Sequence, residues 1–170
     1  CPICGKFGTL VEEVEEVAKD SKNTLPTFTT PKSLKDIKKE HIERFSSGIK
    51  ELDNVLGGGI VPYSIVLIGG DPGIGKSTIL TQVSLAVSKT KKVLYVSAEE
   101  SLSQVKIRCD RLGVDSDNFD VLNECSIENI EKCIDDYDFI VIDSIQTVYL
   151  SSLTGSAGSV GQVKECASKL

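Results

Sequence analysis

No methionine occurs anywhere in the sequence, so Cys1 is not a translation start and the expectation is either a processed chain or a piece of a longer one. No apolar run approaches the roughly 20 residues that a membrane-spanning helix needs, which excludes a helical membrane span. Positive charge is in deficit. The 19 Lys and Arg stand against 25 Asp and Glu for a formal net charge of −6, so no bulk attraction draws the chain to nucleic acid or to an anionic membrane surface. Any contact with DNA must be local. Histidine occurs once, as His41 in a polar stretch, and reads as solvated. Six cysteines in 170 residues fall short of a disulfide scaffold, and beyond Cys1 and Cys4 the others (Cys109, Cys125, Cys133, Cys166) show no tight spacing. That pattern favours a reducing compartment, the cytoplasm, with the four later cysteines as small core or half-buried apolar groups.

What is present is the composition of a folded domain: 40% hydrophobic and 26% charged residues, in a length suited to one domain plus a small attachment. Disordered, collagenous and low-complexity classes are excluded. Residues 1–17 open with Cys1-Pro2-Ile3-Cys4-Gly5, a turn-forming CxxC, followed by Val11, Val14 and Val17 among four glutamates, a helical stripe or a strand edge. Residues 18–43 are polar, carry Pro26, Pro31 and several lysines, and read as a linker.

From residue 44 short apolar runs alternate with helical periods. Ser64–Ile68, Val93–Val96, Phe119–Leu122 and Phe139–Ile142 read as strands; helices are predicted over 77–89, from Leu102 to a stop at Gly113, over 126–134 and from Val160 onward. This alternation implies βαβ units and a mainly parallel sheet of the α/β class. The wholly apolar Phe139–Ile142 fits a sheet covered on both faces.

The strongest chemical signal is Gly70-Asp71-Pro72-Gly73-Ile74-Gly75-Lys76-Ser77, which matches GxxxxGK[ST] between a predicted strand and a predicted helix. Glycines let successive N–H groups face a polyphosphate, and the helix beginning near Gly75 adds the positive end of its dipole. Lys76 is placed to reach the β- and γ-phosphates of ATP, and the Ser77 hydroxyl to ligate Mg²⁺, with Thr78 beside it. Asp143 ends the apolar run 139–142 at the sheet edge where ligands bind, and is the candidate for the magnesium shell. Asp138, at the opposite end, should face away, and Asp135 and Asp136 read as solvated turn residues. Glu99 and Glu100 follow the strand at 93–96 at the same edge as Asp143. Either one orients the attacking water, with Glu99 preferred, or both serve as helix N-terminal charges with Ser101 as cap.

Several segments together resemble the RadA (Sms) family of bacterial DNA repair ATPases, which are RecA-like. They are Cys1–Gly5, Ser47–Gly59 (SGIKELDNVLGGG), Gly69–Thr78, Tyr95–Ser101, Val141–Thr147 and Gly158–Val163. The resemblance implies a RecA-like P-loop core over residues 44–170, incomplete because further strands, a nucleotide sensor, a Lys-Asn-Arg-Phe-Gly motif and a Lon-protease-like domain belong to the family. It implies Glu99 as the catalytic glutamate alongside Lys76. It further implies a homo-hexameric ATPase that acts on single-stranded DNA and branched recombination intermediates beside a RecA-type recombinase, driving branch migration. The loop from Leu150 to Gly161 corresponds to a DNA-contacting loop in RecA. It is small and uncharged, so its backbone N–H and hydroxyl groups would meet phosphates directly. Cys1 and Cys4 fit the second half of the family's zinc ribbon, a four-thiolate Zn²⁺ site of which this sequence holds two ligands. Tyr63 stands where the family usually has a turn glycine. A signalling ATPase of the KaiC type shares the glycine-rich segment and the P-loop but not the CxxC head, and is the alternative.

Overall fold

In a computed structural model the described residues are 31–37, 42–113 and 116–170. The chain divides into two units, residues 1–40 and 41–170. In the first unit the described stretch holds one exposed 3₁₀ turn, Leu34–Asp36. Cys1, Cys4 and His41 lie outside the described residues.

The second unit is α/β. Its elements are α1 (Lys50–Val55), α2 (Lys76–Val87), β1 (Val93–Ser97), α3 (Leu102–Arg111), β2 (Phe119–Leu122), α4 (Ile127–Ile130), β3 (Phe139–Asp143) and α5 (Val160–Lys169). The three strands form a parallel sheet in the order β2-β1-β3. Every residue of the central strand is buried. The period-2 alternation of a strand sends Leu94 and Val96 to one face and Val93 and Tyr95 to the other. On the first face they meet Ile127, Ile130, Val148, Leu150 and Cys166. On the second, Tyr95 meets Leu85, Val105 and Cys109, and Val93 meets Ile60, Val83 and Val87. Each fully buried aliphatic side chain contributes roughly 1.5–3 kcal/mol, which explains why this strand organises both layers.

The glycine-rich segment before the P-loop is an architectural device. The Asp53 carboxylate accepts from the Ser46 hydroxyl and from Ser47 N–H at 2.7 Å, which holds its pKa below the ordinary carboxylate value. Arg44 donates to the carbonyls of Leu56 and Gly59. Gly48 has φ +80°, and a Cβ there would lie 2.3 Å from the Cβ of Ala86. Only glycine lets this turn seat directly on α2.

Two sequence expectations need correction. Ser64–Ile68 forms no strand and joins no sheet among the described residues, and Ile65 and Leu67 are 77% and 81% exposed. Its apolar character alone does not make a strand, because a ladder needs a neighbour and β3 pairs on its described side with β1. The helix predicted over 126–134 is the single turn α4 followed by a 3₁₀ turn, Ile134–Asp136. The chain must descend here to Asp138, whose carboxylate accepts from Lys92 N–H. The sheet is covered on both faces as expected, less deeply at β3: Val141 is buried, Ile142 packs against the first-face cluster and Ile140 is 36% exposed. The remaining predicted strands and helices stand within one or two residues of the observed bounds.

Candidate nucleotide site

The loop 70–75 runs from the irregular segment 64–70 into α2, for which Gly75 is the N-cap residue with φ +107°. A residue with a side chain is strained at that angle. Lys76 opens the helix and curls back over the loop, its Nζ donating to the carbonyls of Gly70 at 2.8 Å and Asp71 at 2.9 Å. The ammonium is therefore held inside the curve of the glycine-rich backbone. Asp71, Pro72, Gly73, Ile74 and Gly75 are exposed, and Lys76 and Ser77 are half-buried at the start of α2. The Ser77 carbonyl accepts from the Thr81 hydroxyl at 2.7 Å, one turn further along.

The acidic residues converge from the ends of β1 and β3. These strands are in register with Ser97 opposite Asp143, and Ala98 N–H donates to the Asp143 carbonyl at 2.9 Å. Glu99 is thereby set beside Ser144, whose hydroxyl donates to Glu99 Oε1 at 2.6 Å. Ser144 is fixed in turn by Thr147, whose hydroxyl donates to the Ser144 carbonyl at 2.8 Å. This accounts for the segment Ser144-Ile145-Gln146-Thr147 as a hydroxyl-tied turn.

Adjacent glutamates take different roles. Glu100 is committed to Arg108 of α3 in a two-pronged ion pair, while the exposed Glu99 points to the Asp143 end of β3. Ser101 caps α3 with a reciprocal Gln104 bond, so capping does not require Glu99. The turn between β1 and α3 is pinned by Asn123, which donates to the carbonyls of Ser97 and Glu100 at 2.8 and 3.0 Å.

Asp143 Oδ2 accepts from the hydroxyl of Tyr95 at 2.7 Å. Sequence reading missed Tyr95, although a phenol inside an otherwise apolar buried strand must find a partner for its polar tip. Burial first, and the Asp143 bond second, raise the Tyr95 pKa above its ordinary value, so it stays a donor across the working range. Asp138 lies at the far end of β3 on Lys92, away from this edge, and Asp135 and Asp136 are exposed.

The donor set suits a magnesium nucleotide. A serine hydroxyl and a carboxylate are hard oxygen ligands, and a lysine at a helix N-terminus with glycine-rich backbone before it suits the phosphates. Glu99 is an exposed carboxylate at the same edge, held by Ser144.

The loop 151–158 is exposed throughout, but one of its expected donors is already engaged. Both the N–H and the hydroxyl of Ser151 donate to Glu128 Oε1 at 2.8 Å. Gln162 of α5, 2% exposed, accepts from Leu150 N–H and donates to the carbonyls of Leu150, Leu153 and Gly155. Ser152, Thr154 and Ser156 of the same loop are exposed. Of the later cysteines, Cys109 and Cys166 are buried and Cys125 half-buried, whereas Cys133 is exposed, against expectation.

A family model described as "ATPase: KaiC" matches residues 45–138. The chain is also similar to proteins named DNA repair protein RadA. It is 49% identical to that of Halalkalibacterium halodurans over 98% of the chain, 48% identical to that of Listeria monocytogenes over 100%, and 44% identical to that of Bacillus subtilis over 100%. It covers 38%, 38% and 39% of these relatives respectively, and so spans about two fifths of their length.

Proposed function

The chain belongs to the KaiC-type family of RecA-like ATPases, and on that premise we propose that it is the ATP-hydrolysing core of a DNA repair protein of the RadA kind. The observations that carry the reading are a P-loop whose Lys76 is curled over its own glycine-rich backbone, and an exposed Glu99 held by Ser144, the residue after Asp143. Gly70 through Thr78 cradle the polyphosphate, and Lys76 exchanges its loop carbonyls for phosphate oxygens. Ser77 and Asp143 would hold Mg²⁺. When bound, that ion offsets charge on the phosphates. Glu99 orients the attacking water and takes its proton, an effect of roughly 10²–10⁴ in rate. Ser144 keeps the carboxylate turned toward the site.

The relatives' printed name extends the proposal to DNA repair. In that reading the whole protein is a DNA-stimulated ATPase that drives branch migration on single-stranded DNA beside a RecA-type recombinase, as a homo-hexamer. The exposed loop 151–158 supplies hydroxyls to the backbone phosphates, and Cys1 with Cys4 supplies two of four thiolates for a structural Zn²⁺. A signalling ATPase shares residues 45–138, and the relatives named for DNA repair favour the first reading because they extend over the CxxC head and the segment 139–170 as well.

The test is ATP turnover by the full-length protein with and without single-stranded DNA. Lys76→Ala should abolish nucleotide binding or turnover, and Glu99→Gln should keep binding but lose at least about 100-fold in turnover. Wild-type turnover in Glu99→Gln removes Glu99 from the water-activating role. Turnover indifferent to DNA, with no DNA binding, removes the DNA reading and leaves the ATPase.

A further inference from the structure

Asp143 is anchored from within the core, by a residue wholly shielded from solvent. Tyr95 is 0% exposed, and its ring lies in the layer between α2 and the sheet. Three neighbours prevent that ring from swinging. Phe119 sits 6.1 Å away between ring centroids. The Arg108 guanidinium lies 5.9 Å from the ring centroid and is itself held by Glu100. Thr81, one turn along α2 from Ser77, lies against the phenol while its own hydroxyl is tied to the Ser77 carbonyl. The phenol is thus a fixed post between the helix that presents Ser77 and the strand end that presents Asp143.

We propose that Tyr95 is the positioning residue of the magnesium site: its hydroxyl holds Asp143 Oδ2 so that the other carboxylate oxygen is presented in one orientation toward the metal shell. A carboxylate at a strand end rotates about its last bond, and an ion site that must first freeze that rotation binds more weakly. One hydroxyl donor fixes it before the metal arrives. Groups that orient a metal-shell ligand in this way are worth about 10–100-fold in metal affinity or activity. The inference rests on the placement of Asp143 at Mg²⁺, so the experiment treats the two separately.

Tyr95→Phe removes one oxygen and keeps the ring. In the full-length protein, binding of a fluorescent ADP should be followed as MgCl₂ is titrated, and again in EDTA. The expected result is an increase of about tenfold in the Mg²⁺ concentration for half-maximal tight binding, with affinity in EDTA unchanged within about twofold. A purely structural role would weaken both conditions alike, and that outcome overturns the proposal, as does an unchanged Mg²⁺ requirement. Asp143→Asn is the reference. If it raises the Mg²⁺ requirement and Tyr95→Phe does not, only the role of Tyr95 fails. If Asp143→Asn has no effect, both the placement of Asp143 and the proposal fall. Should Tyr95→Phe not fold, 3-fluorotyrosine placed at position 95 alone gives a second readout. Its ¹⁹F resonance should move on adding MgCl₂ to the ADP complex and stay put when Mg²⁺ is added to the Asp143→Asn complex; a resonance blind to Mg²⁺ in the unsubstituted protein overturns the proposal.

Discussion

Two neighbouring glutamates show how one position along the backbone changes what a carboxylate does. Glu100 turns back onto α3 and meets Arg108, 15% exposed, whose Nε is buried with no hydrogen-bond partner among the described residues. Removing the glutamate leaves a mostly buried guanidinium without its counter-charge. Glu100→Ala should therefore lower unfolding stability by about 1–2 kcal/mol in urea denaturation, toward the low end for a paired charge because Glu100 is partly solvated. Glu99→Ala, which leaves only the Ser144 hydroxyl short of a partner, should stay within about 0.5 kcal/mol of the parent chain. The motif at residues 95–101 offers two acids of the same chemistry, with Glu99 preferred on the resemblance. What separates them is Arg108, eight residues away along the chain, and Ser144, forty-five away. Tyr63 is a related case: in place of the family's glycine it keeps the turn by adopting φ +61° itself, at the steric cost that glycine avoids.

At the scale of elements, α2, β1, α3, β2, β3 and α5 were legible because each carries its own periodicity or cap. Ser64–Ile68 was not, because a run of apolar residues reports a preference and a strand is a pairing. In this chain Ile65→Thr with Leu67→Thr should change stability by no more than about 0.5 kcal/mol per site, measured by thermal or urea unfolding. A buried strand would lose about 2 kcal/mol or more at each. The short α5 also acts beyond its own length. Its buried Gln162 clamps the backbone of the loop through Leu150, Leu153 and Gly155. Gln162→Ala strips a buried N–H of its acceptor and should cost about 1–3 kcal/mol. It should also speed hydrogen exchange at the Leu150 amide and open residues 151–158 to protease.

The whole molecule carries carboxylates whose work is to hold chain together. The N–H and hydroxyl donors around Glu128, its own backbone N–H and Ser151 foremost, pull its pKa down to about 2, and hydrogen bonds from Ser126 N–H and Asn129 lower that of Glu124. For a depressed carboxylate the folded state binds its proton less readily than the unfolded one. The stabilisation is complete above the unfolded value near 4.5 and is lost as pH falls through about 2. Urea midpoints should therefore decline between about pH 4.5 and 2, and Glu128→Gln should lower the midpoint at neutral pH while flattening that decline. Among the described residues no helix is long and apolar enough to cross a membrane, in keeping with the missing apolar run. The phosphate loop, the acid that ends β3 and the alternation of strands with helices were determined by the sequence alone, because each depends on residue types at short, fixed spacings. The tertiary structure alone decided that Glu100 pairs with Arg108 while Glu99 accepts from Ser144, that a buried phenol holds Asp143, and that the loop 150–158 is anchored by Glu128 and Gln162. These depend on which distant backbones the core brings within hydrogen-bond reach, and no local spacing encodes that.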